Sequence, residues 1–265
     1  MTTIAIIGVG NMGEAVLAGL IKAGHAPSSL FVGVRRVEQG AELEERYGVT
    51  ALPGPEAAAS AEVVILGVKP YDIVPVLSSL PLHAGQLVVS LAAGTTTTAM
   101  EAAVPSGVSV VRVMPNTPAV IGQGMSIVSA GVSASPEQVE LVESLMAAVG
   151  ETVVLPERLL DAGAAVSGSG PAYLFYVAEA LIEAGVHLGL TRPVSARLVN
   201  QTLAGSSALL KESGEHPAVL REQVTSPGGT TAAAIRVFEA AGLRAAFLDA
   251  TRANRDRSRE IAEEG

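Results

Sequence analysis

The run Gly8-Val9-Gly10-Asn11-Met12-Gly13 constrains the fold of this chain more than any other feature. It follows the apolar stretch Thr3–Gly8 directly and opens an Ala/Leu-rich stretch, as a strand, a turn and a helix would. Glycines at this spacing suit a dinucleotide. The first permits a tight turn, the second lets the backbone approach a pyrophosphate, and the third lets helix and strand pack closely, with the helix N-terminus facing the phosphates. On this reading Ile7, Gly8, Val9, Gly10, Asn11, Met12 and Gly13 form the phosphate-binding turn of an N-terminal Rossmann unit. A unit of this kind built for NAD usually carries Asp or Glu at the end of its second strand, about 20 residues on. Here that place holds Arg35 and Arg36, whose forked donors match the oxygens of a 2′-phosphate. NADP(H) is therefore the expected preference, with NAD(H) admissible.

Short Val/Ile-rich runs alternate with Ala-rich helical stretches up to about residue 155, the pattern of a parallel sheet covered on both faces. The strand candidates are Thr3–Gly8, Leu30–Val34, Val63–Val68, Leu87–Leu91, Val108–Val113, Met125–Ser129 and Thr152–Leu155, with a weaker one at Val49–Ala51. Ser135, Pro136 and Gln138 mark a capped helix start, and Gly150 marks its stop. After about Asp161 the strand signals vanish. Helices are expected at Pro171–Leu190, Pro193–Lys211 and Thr231–Ala241, interrupted by loops at Ser167–Pro171 and Ser226–Gly229. The expected fold class is thus an α/β Rossmann domain with a doubly wound, mainly parallel sheet over residues 1–158, followed by an all-α domain over 159–265. The later helices are apolar nearly all round, more than so short a domain can hide, which predicts a dimer built through them.

Composition removes several function classes. The formal charge of −9 leaves no basic surface for nucleic acid. The chain has no cysteine, so thiol catalysis, disulfides and thiolate metal sites are out, in keeping with a cytoplasmic protein. His25, His83, His187 and His216 fall at no ligand spacing, and no metal is expected. The opening residues lack a positive stretch and read as a strand rather than a leader. The apolar stretch Pro171–Leu190 carries Glu179, Glu183 and His187, so it reads as a buried helix and no membrane is expected.

The glycine turn, then Gly67-Val68-Lys69-Pro70, Met114-Pro115-Asn116-Thr117-Pro118, Ser167-Gly168-Ser169-Gly170-Pro171 and Thr225-Ser226-Pro227-Gly228-Gly229-Thr230-Thr231 resemble, in order, the motifs of the pyrroline-5-carboxylate reductase family. The resemblance implies the last step of proline synthesis, in which NAD(P)H delivers hydride to the C=N carbon of 1-pyrroline-5-carboxylate to give L-proline. It also implies a Rossmann domain followed by a helical dimerisation domain, in a family that commonly assembles dimers into larger rings. By the same resemblance Gly67, Val68, Lys69 and Pro70, with Ala92, Ala93 and Gly94, line the nicotinamide side of the cleft. Asn116, Ser167, Gly168, Ser169, Gly170, Gly228, Gly229, Thr230 and Thr231 are its substrate contacts. An asparagine that some relatives place near the adenosine ribose is replaced here by Leu52-Pro53-Gly54-Pro55, and a glutamate that some place before a His-Pro pair aligns with Gly214, next to Glu215. Neither role is transferred.

A cyclic imine bearing a carboxylate needs a hydride donor, an anion clamp and a donor to the ring nitrogen. Both Gly/Ser/Pro loops are expected to run into helices, where free backbone N–H groups and a positive dipole end would hold the carboxylate. Thr231, on which the family's proposed donor falls, is the expected catalytic residue. Two rivals stand beside this reading. A β-hydroxyacid dehydrogenase would use a lysine on a second-domain helix, but the lysines are Lys22, Lys69 and Lys211, and Lys211 lies in no matching motif. A non-catalytic NADP(H)-sensing module is the other.

Overall fold

A computed structural model describes residues 2–264, and the side chains of residues 261–264 lie outside the description. Eight strands form one sheet in the order β3-β2-β1-β4-β5-β6-β7-β8. They are β1 (Ile4–Ile7), β2 (Leu30–Val34), β3 (Thr50–Pro53), β4 (Val63–Leu66), β5 (Leu87–Ser90), β6 (Ser109–Met114), β7 (Gly124–Ala130) and β8 (Gly150–Val154). Every strand candidate, including the weak one at Val49–Ala51, is realised within a residue or two at each end. The first six run parallel, Ile4 pairing with both Leu30 and Val63. β7 reverses against β6, with Val111 opposite Ala130, and β8 runs parallel to β7.

Alternation along each strand sends neighbouring residues to opposite faces. Ile4, Ile6, Val63, Ile65, Leu87 and Val89 belong to one buried cluster, and Ala5, Ile7, Val64, Leu66 and Val88 to another. Helices cover both. On the first face lie α1 (Asn11–Lys22), through Val16, Leu17 and Leu20, and α2 (Val37–Tyr47), through Leu43. On the second lie α3 (Gly54–Ala59), α4 (Ile73–Ser79) and α5 (Thr97–Glu101), with Ala57, Ala58, Ile73, Leu77 and Met100 fully buried. The sheet is therefore doubly wound, and its strand order reverses between β1 and β4, where ligands of such sheets bind beyond the carboxyl ends of the strands.

Returning to the first face, α6 (Pro136–Met146) starts with the full capping box of Ser135 and Gln138. Gly150 ends the helical run, as expected. The α-helix gives way to a 3-10 turn after Met146, which Gly150 caps; the same residue begins β8, where an added Cβ would lie 2.0 Å from the Gly124 carbonyl oxygen.

From Leu160 the chain is helical: α7 (Leu160–Gly163), a π-turn at Ala164–Gly168, α8 (Gly170–His187), α9 (Arg192–Ser213), α10 (Pro217–Gln223), α11 (Thr230–Ala240) and α12 (Leu243–Glu264). Gly170–Ala253 makes one compact unit; the residues before it, together with those from Asn254 onward, make the other. Within the second unit α8 and α9 pack at a close crossing, where Ser195 donates its hydroxyl to the Ile182 carbonyl and a Cβ on Gly185 would sit 2.2 Å from that hydroxyl oxygen. Yet Ser195 is the sole buried residue of Gly170–Ala253. Leu174, Phe175, Leu188, Phe238 and Leu248 all stand exposed in the single chain. Among the described residues no helix is long and apolar enough to cross a membrane, and no cluster of His, Cys, Asp or Glu could hold a metal ion.

Candidate active site

The glycine turn bends where its sequence allows. Gly8 has φ of +84°, which a side chain would strain, and a Cβ there would lie 2.5 Å from Val68 Cγ1 and 2.9 Å from the Val68 amide nitrogen. Gly67 presses on the turn from the other side, its amide donating to the Ile7 carbonyl at 2.8 Å. Gly13 closes the helix-strand crossing, since an added Cβ would come 2.9 Å from the Gly8 oxygen. Above Gly10, by contrast, a Cβ would meet nothing within 4 Å, so open space lies where the backbone should approach a diphosphate. No side chain caps α1, whose first amides stay available to phosphate oxygens. Its first-turn acid, Glu14, accepts hydrogen bonds from Arg46 and from the Tyr47 hydroxyl, which offsets a charge that would repel phosphate. The Tyr47 hydroxyl has its pKa raised, first by burial and then by that bond to Glu14.

A cleft of about 1130 Å³ runs over this edge. It is lined by Ile7 to Met12, by Val34, Arg35 and Arg36 from the end of β2, by Gly67, Val68, Lys69 and Pro70 after β4, and by Ala92 and Ala93 after β5. Most of the expected cofactor positions thus share one cavity. Gly13 lies behind the turn, and Gly94, with φ of +80°, turns the chain outside the lining. Arg35 and Arg36 are exposed and, among the described residues, carry no ion pair. Gln39 was not expected; its side-chain amide donates to the Val9 carbonyl at 2.8 Å, tying the start of α2 to the glycine turn. Gly54 and Pro55 also line the cleft, because β3 runs parallel to β2 and ends on the same edge. The uncapped amides, the space over Gly10 and the two unpaired arginines fit a nicotinamide dinucleotide.

The expected substrate positions fare differently. Ser167–Pro171 is not a loop: Ala164–Gly168 forms a π-turn, and Ser169 keeps helical angles, donating its amide to the Ala164 carbonyl at 3.0 Å. α8 then opens within the stretch, at Gly170. Proline at 171, in the first turn of α8, has no N–H for the Ser167 carbonyl four residues back, so an α-turn cannot close on that carbonyl. Asn116 has both ends of its side-chain amide occupied, the oxygen accepting from the Met125 amide at 2.8 Å and the nitrogen donating to the Ser167 carbonyl at 3.0 Å. Each end of that side chain thus has one partner within the protein. The Ser167 hydroxyl donates to the Gly163 carbonyl, while the Ser169 hydroxyl accepts from Asn254 and retains its own proton to give.

In the second unit, the other segment keeps the expected form. Gly228 turns with φ of +70°, a Cβ on Gly229 would collide with the Ser226 hydroxyl oxygen at 2.3 Å, and α11 begins at Thr230 without a side-chain cap. The amides of Thr230 and Thr231 thus open a helix, and Thr231 is half-buried.

A doubly wound sheet with a glycine turn and dinucleotide cleft, continued into a helical unit, defines the class of nicotinamide-dependent oxidoreductases. Residues 3–94 match the model described as NADP oxidoreductase, coenzyme F420-dependent, and residues 157–261 match that of pyrroline-5-carboxylate reductase dimerisation. The pyrroline-5-carboxylate reductase of Corynebacterium melassecola is 47% identical over 267 residues, covering 98% of this chain and 99% of that protein. Among solved structures, a pyrroline-5-carboxylate reductase from Coxiella burnetii is 37% identical with a TM-score of 0.93, and covers 98% of both chains. The Plasmodium falciparum pyrroline carboxylate reductase, solved with NADP bound, is 28% identical with a TM-score of 0.87 over 98% of both chains. The chain belongs to the pyrroline-5-carboxylate reductase family. Its dimerisation domain, and the apolar faces that the single chain leaves uncovered, support a homo-oligomer.

Proposed function

We infer that this protein reduces 1-pyrroline-5-carboxylate to L-proline, the last step of proline biosynthesis. The observation that carries the reading is a dinucleotide cleft in a chain whose motifs and near-full-length relatives are those of this reductase family. A reduced nicotinamide bound in the cleft supplies the hydride that the C=N carbon takes up. Ile7 to Gly13 seat the diphosphate, and Gly67 to Pro70 with Ala92, Ala93 and Gly94 flank the nicotinamide. We assign the choice of NADP(H) over NAD(H) to Arg35 and Arg36, because two unpaired guanidinium groups at the end of β2 match a 2′-phosphate.

The substrate's carboxylate is assigned to the amides of Thr230 and Thr231, where the start of an uncapped helix favours an anion and Gly228 and Gly229 keep side chains away. The Thr231 hydroxyl donates a hydrogen bond to the ring nitrogen; as the carbon gains hydride, the C=N π pair moves to that nitrogen, which takes its proton through Thr231, the hydroxyl being reprotonated from solvent. Ser167, Gly168, Ser169 and Gly170 are assigned to the substrate through the Ser169 hydroxyl and the absence of side chains at the glycines. The functional division into a cofactor half, 1–158, and a dimerisation and substrate half, 159–265, is supported by the dimerisation model, which begins at residue 157. Assembly as a dimer, or as a ring of dimers, in the cytoplasm completes the proposal.

NADPH oxidation followed with pyrroline-5-carboxylate, other cyclic imines and a panel of hydroxyacids tests the reaction. Pyrroline-5-carboxylate should give the highest kcat/KM; turnover only with a hydroxyacid would overturn the reading. Thr231→Ala should lower kcat about 100-fold or more with little change in the NADPH KM, as loss of a positioned hydrogen-bond donor does. An unchanged kcat would remove Thr231 from the chemistry. A kinetic preference for NADH would remove the role given to the arginines.

A further inference from the structure

Proline at 171 leaves the Ser167 carbonyl without the amide that an α-helix would bring to it. The structure supplies the donor from another element: Asn116, just after β6, reaches this carbonyl with its side-chain nitrogen at 3.0 Å. The same side chain is held from behind, since its oxygen accepts from the Met125 amide at 2.8 Å, at the start of β7. Met114, two residues earlier, packs where Gly168 has no side chain; a Cβ there would lie 3.1 Å from Met114 Cε. Asn254 of α12 holds the next turn through the Ser169 hydroxyl at 2.9 Å. The π-turn at 164–168 is thus pinned at the ends of β6 and β7 and by α12.

We propose that Asn116 is a positioning residue for pyrroline-5-carboxylate: it occupies the carbonyl freed by Pro171 and so sets the register in which Ser167, Gly168 and Ser169 are presented. This rests on the assignment of 167–170 to the substrate. The partition of labour follows from geometry, because Asn116 is absent from the lining of the cofactor cleft and both its polar ends are turned to backbone groups of the protein. Its loss should therefore be felt by the imine and not by the dinucleotide.

Asn116→Asp keeps an acceptor for the Met125 amide but sets an oxygen against the Ser167 carbonyl. We expect the KM for pyrroline-5-carboxylate to rise about tenfold or more, since displacement of a substrate-positioning group by about 1 Å can cost about a hundredfold in rate. The Kd for NADPH, read by its fluorescence, should stay within about twofold, a split that general unfolding would not produce. In a Pro171→Ala background, where residue 171 can donate to Ser167 itself, adding Asn116→Asp should have much less effect than in the parent, as coupled sites require. Hydrogen exchange over residues 164–170 should show lost protection in Asn116→Asp and restored protection in the double variant. Equal shifts in both ligands, strictly additive variants, or unchanged exchange would each overturn the proposal. A parent enzyme inactive on pyrroline-5-carboxylate would instead overturn the functional reading and with it the substrate role, leaving exchange to decide the anchoring.

Discussion

Gly8 shows how much a single residue can carry. Its left-handed φ and its contact with Val68 act together, so alanine there would meet both backbone strain and a 2.5 Å clash with Val68 Cγ1. Strain of this kind costs on the order of 1–2 kcal/mol, and relief of the clash would push the β4 end away from the turn. Gly8→Ala should weaken NADPH binding at least about tenfold while lowering Tm only by a few degrees, measured by fluorescence titration and thermal unfolding. Retained affinity would mean that the turn tolerates a side chain. Gly8, Gly10 and Gly13 are legible from spacing alone because the turn they form is a local one, Gly13 closing on the Gly8 oxygen, whereas the contact of Gly8 with Val68 is not. Asn116 is not: it shows in the sequence only as part of a motif, and its partners Met125 and Ser167 lie nine and 51 residues away.

Among elements, the segment that joins sheet to helices has its own lock. Arg112 is buried in β6, and Glu157, in the short 3-10 turn before α7, pairs with it at 3.2 Å. Glu157 also accepts from the amide and hydroxyl of Thr97, at 2.8 and 2.6 Å, at the start of α5. Among the described residues the Arg112 Nε has no partner, and Glu157 is the carboxylate that its guanidinium meets. Removing one member of a buried pair typically costs about 3–5 kcal/mol, and the partly exposed Glu157 argues for the lower end or below. Glu157→Gln should therefore lower stability by about 2 kcal/mol in urea unfolding, with the coenzyme affinity unchanged; a loss under about 0.5 kcal/mol would show that water replaces the pair. Nothing in the local pattern around residue 157 signals this. The capped start of α6 was legible because Ser135 and Gln138 satisfy each other across three residues. Ser167–Pro171 was read as a loop, since Gly, Ser and Pro mark breaks on average, whereas here Ser167 and Gly168 end a π-turn and Gly170 opens α8.

At the scale of the whole molecule, no apolar side chain of Gly170–Ala253 is buried in the single chain, with Phe175 at 67% and Leu188 at 86% exposure. Apolar faces of this extent favour being covered by a partner, in keeping with the dimerisation model matched over residues 157–261. Light scattering at micromolar concentration should find a dimer or a multiple of one, with Tm rising as protein concentration rises; a monomer with concentration-independent Tm would refute this. The sequence by itself determined the doubly wound sheet, the glycine turn, the arginines at the end of β2 and the need for a partner. All of these follow from periodicity, from backbone freedom, or from the amount of apolar surface, each a property of neighbouring residues or of their sum. Tertiary structure alone decided that Gln39 braces the turn, that Gly54 and Pro55 join the cleft, and that Asn116 reaches the Ser167 carbonyl. Those outcomes depend on which distant groups a carbonyl or amide meets once the sheet has formed, and no local pattern encodes that meeting.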